Sequence, residues 1–429
     1  MHFKSASLLS LAVTTVIAGS AQAAEDVSNL LNHGKATVEA RYRYEYVAQD
    51  NPLNNANAQT LRTRLGLQSG KVYGFSGLVE ADNVSRVGDA SYNSTRNGQR
   101  DFSVVADPDG TEINQALLRY DFKRGNVVVG RQRINLDNQR FIGSVAWRQN
   151  EQTFDAGLAQ IKPITGMTMT YSYIDNVNTI FGPNNGQYDN KTNPANINGH
   201  SHLFNAQYIA LRDHRGAPQL TLTGYSYLLG LDNIAVNLAS PLGSLSSRTN
   251  GVRALGAIGP FSILGEYAKQ DDYGDNPLQL DTDYFLGELG YAWDGILFKA
   301  GYEVLGGDEA AGNRAFQTPL ATKHLFQGWA DVFLTTPSDG VEDAYVGVTA
   351  PLWGGQLQAW YHDLQAEQGG DSYGNEIDLS YGHPITAVPG LVGLVKYATY
   401  AADSSTPLLR GSGANVDTDK FWLQLQYTY

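Results

Sequence analysis

The sequence predicts an all-β fold: a transmembrane antiparallel β-barrel of eighteen strands, with short periplasmic turns and long extracellular loops. Three observations carry that prediction. In the C-terminal stretch Phe421 to Tyr429, the side chains of Phe421, Leu423, Leu425, Tyr427 and Tyr429 share one face of an extended strand, while Trp422, Gln424, Gln426 and Thr428 share the other. A closed barrel in lipid needs this alternation, apolar outward and polar inward, because hydrocarbon tolerates no unpaired sheet edge. The final strand must then pair with the first. At the other end, Lys4, an apolar run from Leu8 to Ala18 and the small-residue pattern Ala21-Gln22-Ala23 describe a secretory signal peptide over residues 1–23. Residues 24–429 are left as the exported barrel. A soluble exported protein would carry the same leader, but 25 Tyr, 46 Gly and 6 Trp suit many short strands, tight turns and aromatic girdles. No other stretch approaches the roughly 18 to 20 apolar residues of a spanning helix.

The strands follow in order. Ala36 to Gln49 places Val38, Ala40, Tyr42, Tyr44 and Tyr46 on one face and Glu39, Arg41, Arg43 and Glu45 on the other. After a loop from Asn51 to Asn57, Gln59 to Gln68 returns with Leu61, Leu65 and Leu67 outward and Arg62 and Arg64 inward. Beyond the turn Ser69-Gly70-Lys71, residues 72–84 oppose Tyr73, Phe75 and Val79 to Glu80 and Asp82. A long polar segment, 85–110, comes next. Short turns at 123–125, 162–163, 212–218, 259–260 and 294–295 then alternate with long loops near 134–152, 176–199, 230–247, 270–281 and from 306 onward.

One segment tests the count. Lys323 to Leu334 reads as a further strand, but nineteen would put the two chain ends on opposite sides of the membrane. Parity assigns 306–340 to one long extracellular loop with a short helix around Leu325 to Val332. The remaining strands begin near Val341, Gln356, Asn375, Leu391 and Lys420, which gives eighteen, with sixteen as the rival count.

The run Gly130-Arg131-Gln132-Arg133-Ile134-Asn135-Leu136-Asp137-Asn138-Gln139-Arg140-Phe141, continuing through Trp147-Arg148-Gln149-Asn150-Glu151-Gln152-Thr153-Phe154-Asp155, resembles the alginate-export family of outer-membrane barrels. The stretches 107–112, 173–177 and Gly328-Trp329-Ala330-Asp331 fit the same resemblance, which covers most of the mature chain. It implies a monomeric, eighteen-stranded channel with an arginine-rich bore, in a family whose founding member exports an anionic polyuronate.

The functional signal lies in arginine. Of the 30 basic residues, 17 precede residue 150, and strand periodicity directs Arg41, Arg43, Arg62, Arg64, Arg119, Arg131 and Arg133 into the lumen. An arginine facing lipid at midplane would cost about 2 to 4 kcal/mol. Two readings apply to this wall. Guanidinium forks match carboxylate and phosphate geometry and line anion-selective pores; alternatively, Glu39, Glu45, Glu80, Asp82 and Asp121 pair with them and stiffen the barrel.

Residues 134–152 hold Asp137, Arg140, Arg148 and Glu151 among Asn and Gln, with Phe141, Ile142 and Trp147 as anchors. A loop folded into the bore needs that density of hydrogen-bonding groups. The segment is expected to fold inward as a constriction, against the alternative of an exposed loop meeting surface sugars. Trp147 serves either as its anchor or as a sugar platform.

Weaker constellations are His200 and His202, which share a strand face but lack a third metal ligand, and Asp107-Pro108-Asp109-Gly110, with calcium-like spacing but no full binding loop. Neither a metal nor a cofactor is expected. The acidic balance, a formal net charge of −13, speaks against nucleic acid. The partners expected are outer-membrane lipid and lipopolysaccharide, the barrel-assembly machinery through Phe421 to Tyr429, and a polar or anionic solute. The sequence thus reads as a Gram-negative outer-membrane channel, not an enzyme, for passive diffusion of small polar or anionic solutes. Export of an acidic polysaccharide such as alginate is the alternative cargo. An outer-membrane hydrolase using His200, His202 and Asp175 is the alternative class.

Overall fold

Each strand of this computed structural model pairs with its neighbours in the chain, and the last pairs with the first. Residues 33–89, 91–183, 191–308, 312–403 and 416–429 are described; the signal-peptide segment 1–23 lies outside them. The strands are β1 (Lys35–Gln49), β2 (Ala56–Gln68), β3 (Phe75–Arg86), β4 (Gly110–Phe122), β5 (Gly125–Gln132), β6 (Thr153–Ile161), β7 (Met167–Asn178), β8 (Asn196–Arg212) and β9 (Pro218–Leu229). The second half holds β10 (Ser247–Ile258), β11 (Phe261–Asp272), β12 (Asp281–Trp293), β13 (Ile296–Leu305), β14 (Val341–Leu352), β15 (Gly355–Gln365), β16 (Ser372–Pro384), β17 (Leu391–Ala402) and β18 (Thr418–Thr428). Every pairing is antiparallel, and the sheet is closed.

Closure runs through the C-terminal stretch. β18 registers with β1 from Glu39 opposite Thr428 to Gln49 opposite Thr418. Tyr429 extends the pairing, exchanging backbone hydrogen bonds of 2.9 and 3.2 Å with Val38. No edge is left unpaired, the condition for a sheet to cross hydrocarbon.

Alternation decides the two faces. Leu61, Leu65 and Leu67 of β2 lie outward, whereas Thr60, Arg62 and Arg64 are buried inside. Tyrosines 42, 44 and 46 face outward on β1, opposite the buried Arg41, Arg43 and Glu45. Near the short turns, the Phe75–Tyr120 and Phe261–Tyr291 ring pairs, with centroids 4.6 and 5.0 Å apart, and the exposed Trp293 and Trp353 form an aromatic girdle at the membrane interface. An apolar outer wall around a charged interior makes this an outer-membrane barrel.

The short connections and both barrel ends of the chain lie at one rim, the periplasmic one; the long connections lie at the other. Eighteen strands matches the parity argument, and the strands after residue 340 begin within three residues of their expected starts.

The expected helix at Leu325–Val332 is replaced by a single 3₁₀ turn, Lys323–Leu325. Beyond it, wall carboxylates capture the amides of Trp329 and Ala330, leaving them unavailable for helical bonding. Residues 306–340 do join their strands at the extracellular rim. Residues 312–340 turn back into the bore, where Phe316 and Leu320 are fully buried and Gly143 N donates to Leu320 O at 2.9 Å.

Candidate functional site: two segments tied across the bore

Irregular backbone can enter a barrel at membrane depth only if its amides and carbonyls find partners there. Residues 133–152, between β5 and β6, find theirs on the first hairpin. Arg41 Nη1 donates to Ala146 O at 3.1 Å, Arg43 Nη2 to Trp147 O at 2.6 Å, and Arg62 Nη1 to Gln149 O at 3.1 Å. Arg43 also holds Gln424 at 2.7 Å and lies 4.1 Å from the Trp147 ring centroid. Arg62 pairs with Glu39. The hairpin arginines thus grip a loop backbone.

The loop returns charge of both signs to the wall. Arg148 bonds Glu45 on β1 at 2.9 and 3.1 Å and lies 3.5 Å from Asp107. Asp107 is fully buried and accepts from Gln149 N at 2.9 Å, so the carboxylate first read as calcium-like serves protein cations and an amide. Arg64 makes a two-bond fork to Asp82, at 2.6 and 2.5 Å, and reaches Glu151. Glu151 also receives Arg133 at 2.6 Å and Asn114 at 3.2 Å. Burial raises the Glu151 carboxyl, but the Arg133 hydrogen bond and the charges of Arg64 and Arg133 outweigh it and bring it down to about 2. Arg133 continues to Glu80.

The other predicted residues take separate places. Arg140 is buried against Glu303 of β13 at 2.7 Å and Thr318 at 3.2 Å, with its guanidinium 4.6 Å from the Phe326 ring centroid. Asp137 accepts from Asn205 at 2.8 Å. Arg119 lies on the inward row of β4 and pairs with its neighbour Asp121 at 2.8 Å. Arg131 departs from expectation. It shares the outward row of β5 with the exposed Val127 and Val129 and pairs across the sheet with Asp155 at 2.7 Å. Near the extracellular end of its strand, it escapes the midplane penalty that the inward assignment assumed.

His200 and His202 lie on an outward row with Phe204, their rings hydrogen-bonded to Tyr173 and Tyr171 at 2.6 and 3.0 Å. Ser201 is buried on the opposite face, bonded to Gly230 O at 3.3 Å. His200 Nδ1 lies 4.0 Å from Asp175 on the outward face, and Ser201 is not brought to them.

A second tether, which the sequence reading did not single out, holds residues 306–340. Glu376 and Asp378 of β16 accept from Ala330 N at 2.6 Å and Trp329 N at 3.1 Å. Lys396 of β17 sits between three indoles, 3.5 Å from the Trp329 centroid, 4.4 Å from Trp147 and 5.4 Å from Trp422. Its Nζ meets His324 Nε2 at 2.6 Å, and His324 Nδ1 meets Asp331 at 2.8 Å. Asp331 in turn receives Lys420 at 3.1 Å. Burial first, then the charge of Lys396, pushes His324 down to about 3, against the opposing pull of Asp331. The neutral ring therefore accepts from Lys396. Its plane stacks on Trp147, centroids 4.6 Å apart and 8° from parallel, joining the two segments. Strand alternation carried a signal for this site: Glu376 and Asp378 alternate with the outward Ile377 and Leu379, and Lys396 is the one charge in the apolar β17.

The model of the alginate-export family matches residues 36–174. No curated protein matches the chain in sequence. Among solved structures, Pseudomonas aeruginosa OccK3 (OpdO) aligns with a TM-score of 0.67 at 14% identity, covering 96% of this chain and 99% of that one. Acinetobacter baumannii OccAB2 aligns at 0.68 and 17% identity over 92% of this chain and 98% of its own. Pseudomonas aeruginosa OpdK, solved with vanillate, aligns at 0.65 and 14% identity over the same shares, 92% and 98%. The chain therefore has the eighteen-stranded fold of these outer-membrane porins and, over residues 36–174, matches the alginate-export family in sequence.

Proposed function

We propose that the protein is an outer-membrane channel for passive diffusion of small polar or anionic solutes, filtered where residues 133–152 cross the arginine-faced wall. The observation that carries the reading is the set of inward guanidiniums of Arg41, Arg43 and Arg62 at the constriction. Arg43 Nη1 lies 3.8 Å from Asp107, and Arg62 Nε and Trp147 Nε1 make no hydrogen bond there, so donors remain for an incoming oxoanion. Arg43 and Arg62 are fully buried, so a solute engages them only as residues 146–149 shift aside. Weak, successive contacts of this kind pass an anion without trapping it. OpdK was solved with vanillate, which makes a small aromatic carboxylate the first solute to try.

Export of an acidic polysaccharide is the second reading, favoured by the family match over 36–174, which spans β1 to β7 and the constriction. The test is the current through the refolded mature protein in a planar bilayer under a salt gradient, with vanillate or uronate oligomers then added. Anion-selective current blocked by vanillate is the expected result; block by uronate oligomers alone moves the reading to the polymer. Cation-selective current indifferent to both overturns the arginine filter.

A further inference from the structure

The periplasmic rim is unevenly charged. The turns joining β4 to β5, β6 to β7 and β8 to β9 carry Lys123, Arg124, Lys162, Arg212 and Arg215 against one carboxylate, Asp213. That carboxylate is occupied by the amides of Arg215 and Ala217, at 2.9 and 2.8 Å. The turns at 259–260, 294–295, 353–354 and 385–390 carry no lysine or arginine. Lys71 of the β2–β3 turn pairs with Asp121 at 2.6 Å, so among the described residues the turn cations without a carboxylate partner lie on those three consecutive turns.

Those turns enclose a cavity of about 350 Å³ lined by Arg124, Lys162 and Arg212, with Thr165, Thr168 and Ile209 among its walls. Arg124 Nη1 gives one bond to Pro163 O and Arg212 Nη1 one to Gly216 O, both at 2.7 Å. Among the described residues, none of the three cations pairs with a carboxylate, and Lys162 Nζ has no partner. Thr168 shares the row of the buried Ser172 on β7, and Ile209 that of Asn205, which touches Asp137 in the bore. The cavity therefore opens on the lumen side of the rim.

We propose that this cavity binds the phosphate group of an organic phosphate. Three cations and two threonine hydroxyls, without a competing carboxylate, suit a tetrahedral oxoanion with several acceptor oxygens. The volume beyond one phosphate, and the Ile209 wall, leave room for an ester substituent. A phosphorylated solute leaving the bore and an anionic phospholipid headgroup of the periplasmic leaflet present the same group.

The test uses the mature protein refolded in zwitterionic detergent, titrated calorimetrically with glycerol 3-phosphate. A parallel arm embeds it in phosphatidylcholine nanodiscs with and without phosphatidylglycerol and reads retained lipid by native mass spectrometry. Lys162→Gln, at an exposed turn, is expected to weaken binding about tenfold, and the triple variant Arg124→Gln, Lys162→Gln, Arg212→Gln to abolish it. Heat-modifiable gel migration verifies that both are folded. Loss in the soluble arm assigns the site to a solute, and loss in the lipid arm alone assigns it to a headgroup. Wild-type protein that binds neither probe, or variants that match it in both arms, overturn the site. Neither arm measures conduction, so a failed channel assignment leaves this result readable.

Discussion

The two segments in the bore are held by opposite chemistry. On the β1–β2 arc the wall donates: Arg41, Arg43 and Arg62 reach for the carbonyls of Ala146, Trp147 and Gln149. On the β16–β17 arc the wall accepts: Glu376 and Asp378 take the amides of Ala330 and Trp329, while Lys396 is held by indole faces and His324. Both arrangements meet the same requirement, that irregular backbone inside a membrane protein be satisfied. They differ in what they leave over. The donating arc leaves N–H groups without a hydrogen-bond partner, on Arg43, Arg62 and Trp147, whereas the accepting arc leaves carboxylate oxygens without one, on Glu376 and Asp378. The lumen therefore has one side where guanidiniums hold a loop by its carbonyls and one where carboxylates hold a loop by its amides.

The largest expected break of this contrast is Arg148→Ala. It strands the buried Glu45 and Asp107 without their shared cation, and loss of one partner from a buried ion pair costs about 3 to 5 kcal/mol. Urea unfolding in detergent should show the loss, and single-channel records should show larger, noisier openings as 133–152 comes free. Gly328→Ala strikes the other arc. Gly328 has φ +81°, and a Cβ there would overlap the Glu376 carboxylate; the backbone strain alone is about 1 to 3 kcal/mol. Hydrogen exchange at residues 324–331 should rise while that at 146–149 stays protected. Exchange that rises in both would mean the arcs form one unit.

Acid separates the arcs more gently. The folded value of His324, about 3, lies below its unfolded value, so its contribution is complete above about pH 6.5 and declines as the pH falls toward 3. Glu151, at about 2 in the fold, contributes fully above about pH 4.3 and loses that contribution as the pH falls toward 2. Tryptophan fluorescence should therefore change first, through Trp147 stacked on His324, with the arginine arc following about two pH units lower. The smallest effect is expected from Glu376→Gln, which keeps an acceptor for the Ala330 amide: about 1 kcal/mol or less, with anion preference unchanged or slightly raised in reversal potential.

Much of the wall was legible before the fold. The alternation of β1, β2 and β18 directed Arg41, Arg43, Arg62 and Arg64 inward, because side-chain direction in a strand depends only on parity. Arg131 obeys the same parity, sharing the outward row of Val127 and Val129, and only the inward assignment alongside Arg133 fails. It lies two residues before Arg133 in a run that leaves the strand, and the chain turns between them, so only Arg133 reaches Glu80 and Glu151. The β16–β17 tether obeys the same rule, but its charges are sparse and unclustered in sequence. Its partners lie far along the chain: Trp329 is 49 residues from Asp378, and Lys396 is 72 from His324.

By itself the sequence determined the barrel, its strand number and, Arg131 aside, the facing of the arginine-bearing strands, since two-residue periodicity and the parity of a closed sheet are local or counting properties. Only the tertiary structure decided that residues 312–340 share the bore with 133–152, and that the hairpin arginines hold loop carbonyls. Those outcomes depend on which irregular segment reaches which wall, and that is set by register, curvature and the space left inside after closure.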